Sequence, residues 1–202
     1  MHDSNNIRFA CKISRLRATD LNQGVVFGGM TEEIALNPTR LGTAVHYDEM
    51  FGTVLNRFCV QAAVDLPLTV YGKGEQTRGF LNIVDTLQCV ELTLNTPPAP
   101  GEFRVFNQFT QLFSVNQLAQ HVQHVGVDMG LDVVVAHLPN PRVEEESHYY
   151  NPVVTKLPSL GLTPHLLGDE VIANLIEMGR EHKDRIDLKV IEPRTHWGVV
   201  TK

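Results

Sequence analysis

Val70-Tyr-Gly-Lys-Gly-Glu-Gln-Thr-Arg-Gly-Phe-Leu-Asn-Ile-Val-Asp85 changes character twice within a short span. Apolar residues at Leu68 and Val70 give way to Gly72 and Gly74, a polar segment carries Gln76, Thr77 and Arg78, and apolar residues resume at Phe80, Leu81, Ile83 and Val84. Two buried elements are therefore expected, with one cationic loop held between them. An arginine fixed from both sides suits an anion, because its planar guanidinium can offer paired N–H donors to phosphate oxygens. The same pattern also fits a surface arginine solvating a glycine-rich hairpin, and spacing alone leaves both readings open.

Working outward, 202 residues allow one good core or two small lobes. A hydrophobic share of 43% and a charged share of 20% suit a globular chain, and no run approaches the roughly 18 apolar residues of a membrane span. The formal charge of −6 comes without a stripe of Lys and Arg. That argues against a nucleic-acid partner, whose phosphate backbone demands clustered cations; an anionic partner is expected to be small. Cys11, Cys59 and Cys89 each sit beside apolar residues and are odd in number, which favours buried thiols in a reducing compartment over a disulfide framework. The N-terminus shows neither a signal-peptide nor a transit-peptide pattern.

Helix and strand signals alternate along the chain. Residues 4–14 have helical apolar spacing, and 15–28 read as a strand running out into a loop at Asn22-Gln23-Gly24. Residues 29–47 lack a period and read as a long loop that could serve as a lid. Tyr47 to Val64 is the strongest helix, with Asp48 as expected cap and Val54, Leu55, Phe58, Cys59 and Ala62 as one stripe. A strand at 68–71 follows, then a helix opening at Asp85 and stopped by Pro97-Pro98 and Pro100-Gly101. Residues 103–107 read as a strand. Ser114 and Gln117 form a capping box for the next helix. A strand at 131–137, a loop at 139–152 and a helix from 169 to 183 complete the reading. The segment 126–130 is a candidate hinge, dividing the chain into 1–125 and 126–202.

Motifs of chemistry are sparse. His121 and His124 lie three apart on one helix, and Glu144, Glu145, Glu146 and His148 form an acidic run, but neither set has the ligand pattern of a metal site, so no metal is expected. The Walker, nucleophile-elbow and Gly-x-Gly-x-x-Gly patterns are missing from the sequence. Polar groups remain at the ends of elements: Gln23, Arg57, Gln76, Arg78, Asn107 and Arg142. Three of them are arginines that could converge on a diphosphate.

Several longer stretches carry a resemblance: Asn22-Gln-Gly-Val-Val-Phe-Gly28, Asn56-Arg-Phe-Cys-Val-Gln-Ala-Ala63, Leu68-Thr-Val-Tyr-Gly-Lys-Gly74, Gln76-Thr-Arg-Gly79, Gly101-Glu-Phe-Arg-Val-Phe-Asn-Gln-Phe-Thr110 and Asn140-Pro-Arg-Val143 with His148-Tyr-Tyr150. Together they resemble the carboxyl-terminal half of the extended short-chain dehydrogenase/reductases of the NAD-dependent epimerase/dehydratase type. The block from Asn140 to Tyr150 is similar to the UDP-sulfoquinovose synthase branch, which makes the sulfolipid head-group donor from UDP-glucose and sulfite with bound NAD.

The resemblance implies an α/β fold, part of a Rossmann-like parallel sheet with a small substrate-binding lobe. It also implies site residues. Gln23 would touch the nicotinamide or the reacting sugar, Thr53 and Arg57 would border the substrate, and Thr69 and Tyr71 would flank the uracil. Arg78 and Arg142 would hold the diphosphate, with Gln76 beside them in the substrate-binding set and Glu145 near the ribose. The family's glycine-rich turn, catalytic Thr and Tyr-x-x-x-Lys pair have no counterpart in this sequence. The chain is thus expected to be a substrate-binding portion with no catalytic residue of its own, inactive alone, marginally stable and exposing a parallel-sheet edge. Alternatives are a non-catalytic UDP-sugar-binding module, one half of a split enzyme, or part of another NAD-dependent sugar-nucleotide epimerase/dehydratase. A homodimer or a complementary N-terminal half would be its protein partner, and a chloroplast stroma or bacterial cytoplasm its compartment.

Overall fold

The structure, a computed structural model, describes residues 2–141 and 152–193. In chain order the elements are α1 (His2–Ser14), β1 (Ala18–Gln23), β2 (Val25–Phe27), α2 (Glu32–Leu36), α3 (Pro38–Leu41), α4 (Val54–Ala63), β3 (Leu68–Tyr71), β4 (Thr77–Asn82), α5 (Ile83–Asn95), β5 (Phe103–Gln108), β6 (Gln111–Ser114), α6 (Val115–Asp128), β7 (Val135–Leu138), α7 (Lys156–Ser159) and α8 (Asp169–Glu181). Two short 3-10 turns follow, Lys183–Arg185 and Leu188–Val190. The fold is α/β, with parallel strand pairs and helices. Among the described residues no helix is long and apolar enough to cross a membrane.

Several boundaries differ from expectation for local reasons. The strand expected over 15–28 is two strands broken at Gly24. Thr77 and Arg78 are not loop residues but the start of β4, which continues through the apolar Phe80 and Leu81. The next helix opens at Ile83 rather than Asp85, because the Asn82 side chain takes the cap by accepting from the Val84 N–H. The loop expected at 29–47 contains α2 and α3, capped by Thr31 and Asn37. Residues 126–128, expected in a hinge, are the last turn of α6, and the strand expected from 131 begins only at Val135.

The chain forms two compact units. The first comprises the described residues of 1–26, 79–111 and 151–166. Its centre is the parallel pair β1 and β5, in register from Ala18↔Phe103 to Gln23↔Gln108. Cys89 of α5, Phe106 of β5, and Leu157 and Leu162 form a buried cluster with Leu21 and Leu92 packed on it. A polar clamp adds to it: the fully buried Asp85 accepts from the backbone N–H of His165 at 2.8 Å and pairs with its Nδ1 at 2.6 Å. Gln88 reinforces the same strap, donating to the Thr163 carbonyl at 3.1 Å and accepting from its N–H at 3.3 Å.

The second unit comprises the described residues of 27–78, 112–150 and 167–202. Here β3 and β7 run parallel, in register from Leu68↔Val135 to Tyr71↔Leu138. Helices α4, α6 and α8 pack together, burying Leu55, Phe58, Leu118, Val122, Ile172 and Ile176 at no more than 1% exposure. Each such side chain contributes about 1.5–3 kcal/mol, so packing outweighs the exposed Lys183–Asp65 ion pair, 2.7 Å long, that also ties this unit. Gly179 allows the close approach of α8 to α4, since a Cβ there would lie 2.7 Å from that of Ala63. The capping box expected at the start of α6 is present, with Ser114 and Gln117 each accepting from the other's backbone N–H.

All three cysteines are buried and unpaired as thiols, and burial pushes the Cys59 thiol well above its ordinary value. His121 bonds Asp169 at 2.7 Å and His124 faces Asp128 at 3.6 Å. Among the described residues no group of three ligating side chains could hold a metal.

Candidate functional site

The second unit contains a cavity of about 230 Å³. The entrance to α4 forms one side of it. Thr53, in extended conformation, is the true cap of α4: its hydroxyl accepts from the Asn56 N–H at 3.2 Å. Asp48, expected in that role, instead closes a separate turn by accepting from the N–H groups of Met50 at 2.8 Å and Phe51 at 3.0 Å. Those bonds, the one from Phe51 foremost, hold its carboxyl below the usual aspartate range. Asn56 pins the preceding segment by donating to the His46 carbonyl at 3.0 Å. Gly52, Thr53 and Val54 therefore present the N-terminus of α4, with its positive end of the helix dipole, to the cavity.

Arg57, one turn further along α4, also lines the cavity. Its guanidinium lies 4.7 Å over the Tyr71 ring and 5.3 Å from the Phe58 ring centre. Its Nη2 donates to the Thr69 carbonyl at 2.8 Å. Tyr71 ends β3, and its hydroxyl is buried with no hydrogen-bond partner among the described residues. Gln76 and Arg78 reach the same cavity from the turn before β4 and its first residues. That turn is anchored to α6: the Asn116 side chain donates to the Lys73 carbonyl at 2.8 Å, and the Asn116 N–H to the Gly74 carbonyl at 3.0 Å. Gly74 has a φ of +70°, and a Cβ there would sit 2.2 Å from Asn116 Oδ1.

The structure thus brings together Thr53, Arg57, Tyr71, Gln76 and Arg78. Thr69 is nearby in sequence but buried, its side chain turned to Gln61. Gln23 belongs to the first unit, exposed at the carboxyl end of β1. Arg142, Glu145 and Trp197 lie outside the described residues. Spacing alone did not pick out Asp48, Glu49, Gly52, Val115, Pro141 and Pro193, which also line the cavity. Asn140 and Pro141 did fall within the block that carries the resemblance, and Asp48 was expected as a helix cap, not as a wall of a cavity.

Two guanidinium groups and a helix N-terminus on the lining favour an anion, and the carboxylates of Asp48 and Glu49 line the same cavity. Among the described residues the lining holds no histidine, cysteine or serine, but it does hold the hydroxyls of Tyr47, Thr53 and Tyr71 and the carboxylates of Asp48 and Glu49.

No family model matches the sequence. Curated relatives do. The chloroplastic UDP-sulfoquinovose synthase of Spinacia oleracea is 56% identical over 197 residues, covering 98% of this chain and 41% of the relative. The UDP-sulfoquinovose synthase of Sulfolobus acidocaldarius is 43% identical over 199 residues, covering 98% of this chain and 50% of the relative. Nearly the whole chain is thus similar to UDP-sulfoquinovose synthases. It spans about half the length, or less, of these synthases.

Solved structures of low sequence identity share the fold. The UDP-glucose 4-epimerase of Thermotoga maritima, solved with UDP-glucose, superposes with a TM-score of 0.65 at 18% identity, over 92% of this chain and 52% of that one. Others of the same fold were solved with NAD and a UDP-sugar bound. These likenesses place the chain in the Rossmann-like epimerase/dehydratase fold.

Proposed function

We propose that this chain is the carboxyl-terminal, substrate-binding portion of a UDP-sulfoquinovose synthase, which as a whole makes UDP-sulfoquinovose from UDP-glucose and sulfite. The observation that carries the reading is the meeting of Arg57, Arg78 and the N-terminus of α4 on one cavity. That set matches a nucleotide diphosphate, with Asp48 and Glu49 placed to accept from sugar or ribose hydroxyls. Arg142 and Glu145 belong to the same proposed substrate set by their place in the sequence.

NAD supplies hydride exchange in such an enzyme. Gln23 fits a partial contact with it: it ends a parallel strand, beside the Asn22–Asn107 side-chain bond of 3.3 Å, where open α/β sheets take ligands. The sequence carries no glycine-rich dinucleotide turn and no Tyr-x-x-x-Lys pair, so this chain contributes binding and orientation, and is inactive by itself. Its compartment is proposed to be a plant plastid stroma or a bacterial cytoplasm.

Isothermal calorimetry with UDP-glucose tests the reading. Binding heat is expected, weakened roughly tenfold to a hundredfold by Arg78→Ala, the factor for a charge-assisted bond of about 1.5–3 kcal/mol. Absence of heat from the folded chain, or an unchanged affinity in Arg78→Ala, overturns it. A second reading, one half of a split enzyme, is favoured by the exposed Phe9, Ile13, Leu87 and Leu94 of the first unit. Co-purification with the separately expressed upstream segment of the spinach synthase distinguishes the two.

A further inference from the structure

Gln61 is 1% exposed, and a buried amide left unbonded costs about 1–3 kcal/mol. Both ends of its side chain are spent on a single residue. Nε2 donates to Thr69 Oγ1 at 2.8 Å, and Oε1 accepts from the Thr69 N–H at 3.2 Å. The Thr69 carbonyl in turn accepts from Arg57 Nη2 at 2.8 Å. Gln61 and Arg57 are four residues apart and so share one face of α4. Together they take both backbone groups of Thr69 on a strand whose pairing partner among the described residues is β7 alone. The Tyr71 ring, two residues along the same strand, supports the guanidinium from 4.7 Å.

We propose that Gln61, acting through Thr69, positions Arg57. This glutamine does not line the cavity, yet it fixes the carbonyl that anchors the guanidinium against Tyr71. It thereby sets how tightly the cavity takes a diphosphate, a consequence that rests on the UDP-sugar reading above. The positioning itself is a property of the ligand-free chain.

Two measurements test it. In the ligand-free protein, the guanidinium NMR signals of Arg57, assigned by their loss in Arg57→Ala, are expected to show restricted rotation. Gln61→Met and Thr69→Val should release that restriction, and Thr69→Ser should preserve it. In calorimetry with UDP as the probe, Gln61→Met should weaken binding about tenfold, equivalent to one step of about 1.4 kcal/mol, and should cost nothing further in an Arg57→Ala background. Unchanged Arg57 signals in Gln61→Met and Thr69→Val, or an equal loss of affinity with and without Arg57, overturns the proposal in favour of simple packing. Should Gln61→Met fail to give a cooperative melt, Thr69→Val alone decides, since it removes only the hydroxyl. If wild-type chain gives no heat with UDP while Arg57 is held and then released by these substitutions, the UDP-sugar reading falls and the positioning role stands.

Discussion

In α4, Leu55, Phe58 and Cys59 are at most 1% exposed, whereas in α5 Leu87 and Leu94 stand 55% and 74% exposed, although both helices show apolar residues at helical spacing. The difference lies in what each helix meets. α4 is covered by α6 and α8 of its own unit. α5 turns Cys89 and Leu92 to its cluster and leaves Leu87, Val90 and Leu94 outward. Apolar spacing therefore reports that a face wants cover, and α4 finds that cover within its own unit whereas α5 finds it for only part of its apolar residues. The first unit adds a buried carboxylate to its apolar cluster, where α4, α6 and α8 of the second are joined by aromatic and aliphatic packing.

Four measurements probe this contrast. Phe58→Ala, which empties the core of the second unit, should cost about 3–5 kcal/mol in a denaturant titration; a loss near zero would mean that this core does not hold the unit. Asp85→Ala should cost about 1.5–3 kcal/mol, because it removes a charged acceptor from the His165 strap, with the loss of protection in amide exchange centred on residues 163–165. Leu94→Ser should shift stability by no more than about 0.5 kcal/mol while raising solubility, and a larger loss would show that this face is covered in solution. The smallest effect concerns Asp48. Its folded pKa lies below the unfolded value of about 3.9, so the turn it closes is fully stabilised above that pH and loses the contribution as pH falls through the folded value. Amide signals of Met50 and Phe51 should report this loss on acidification, and Asp48→Asn should flatten the response.

Much of the molecule was legible because its signals are local. The stripe from Leu55 to Ala62, the Ser114–Gln117 box and the strands expected at 68–71 and 103–107 all follow from signals within one element. Where two residues could play the same local part, sequence could not choose: Asp48 and Thr53 are both cap formers, as are Asn82 and Asp85. The choice fell to tertiary structure, since Asp85 is taken by His165 and Asp48 by a turn that ends at Gly52. In the cavity, the residue types Arg57, Tyr71, Gln76 and Arg78 could be named in advance, but their convergence depends on how α4 lies against β3. The link from Gln61 to Thr69 was invisible for the same reason: it is a bond between a helix and a strand, with no periodicity of its own.

The turn before Arg78 sets a limit on variation. At Gly74 a side chain is refused twice, by a φ of +70° and by Asn116, while at Gly130, with a φ of +80°, nothing lies within 4 Å of an added Cβ. Asparagine tolerates that backbone region, so a randomised library selected for folded protein should return asparagine as well as glycine at 130 and glycine alone at 74. Lys73, between two fixed glycines, contributes its carbonyl rather than its side chain to the anchor, and is the position in this turn where new chemistry can be installed without moving the arginine behind it.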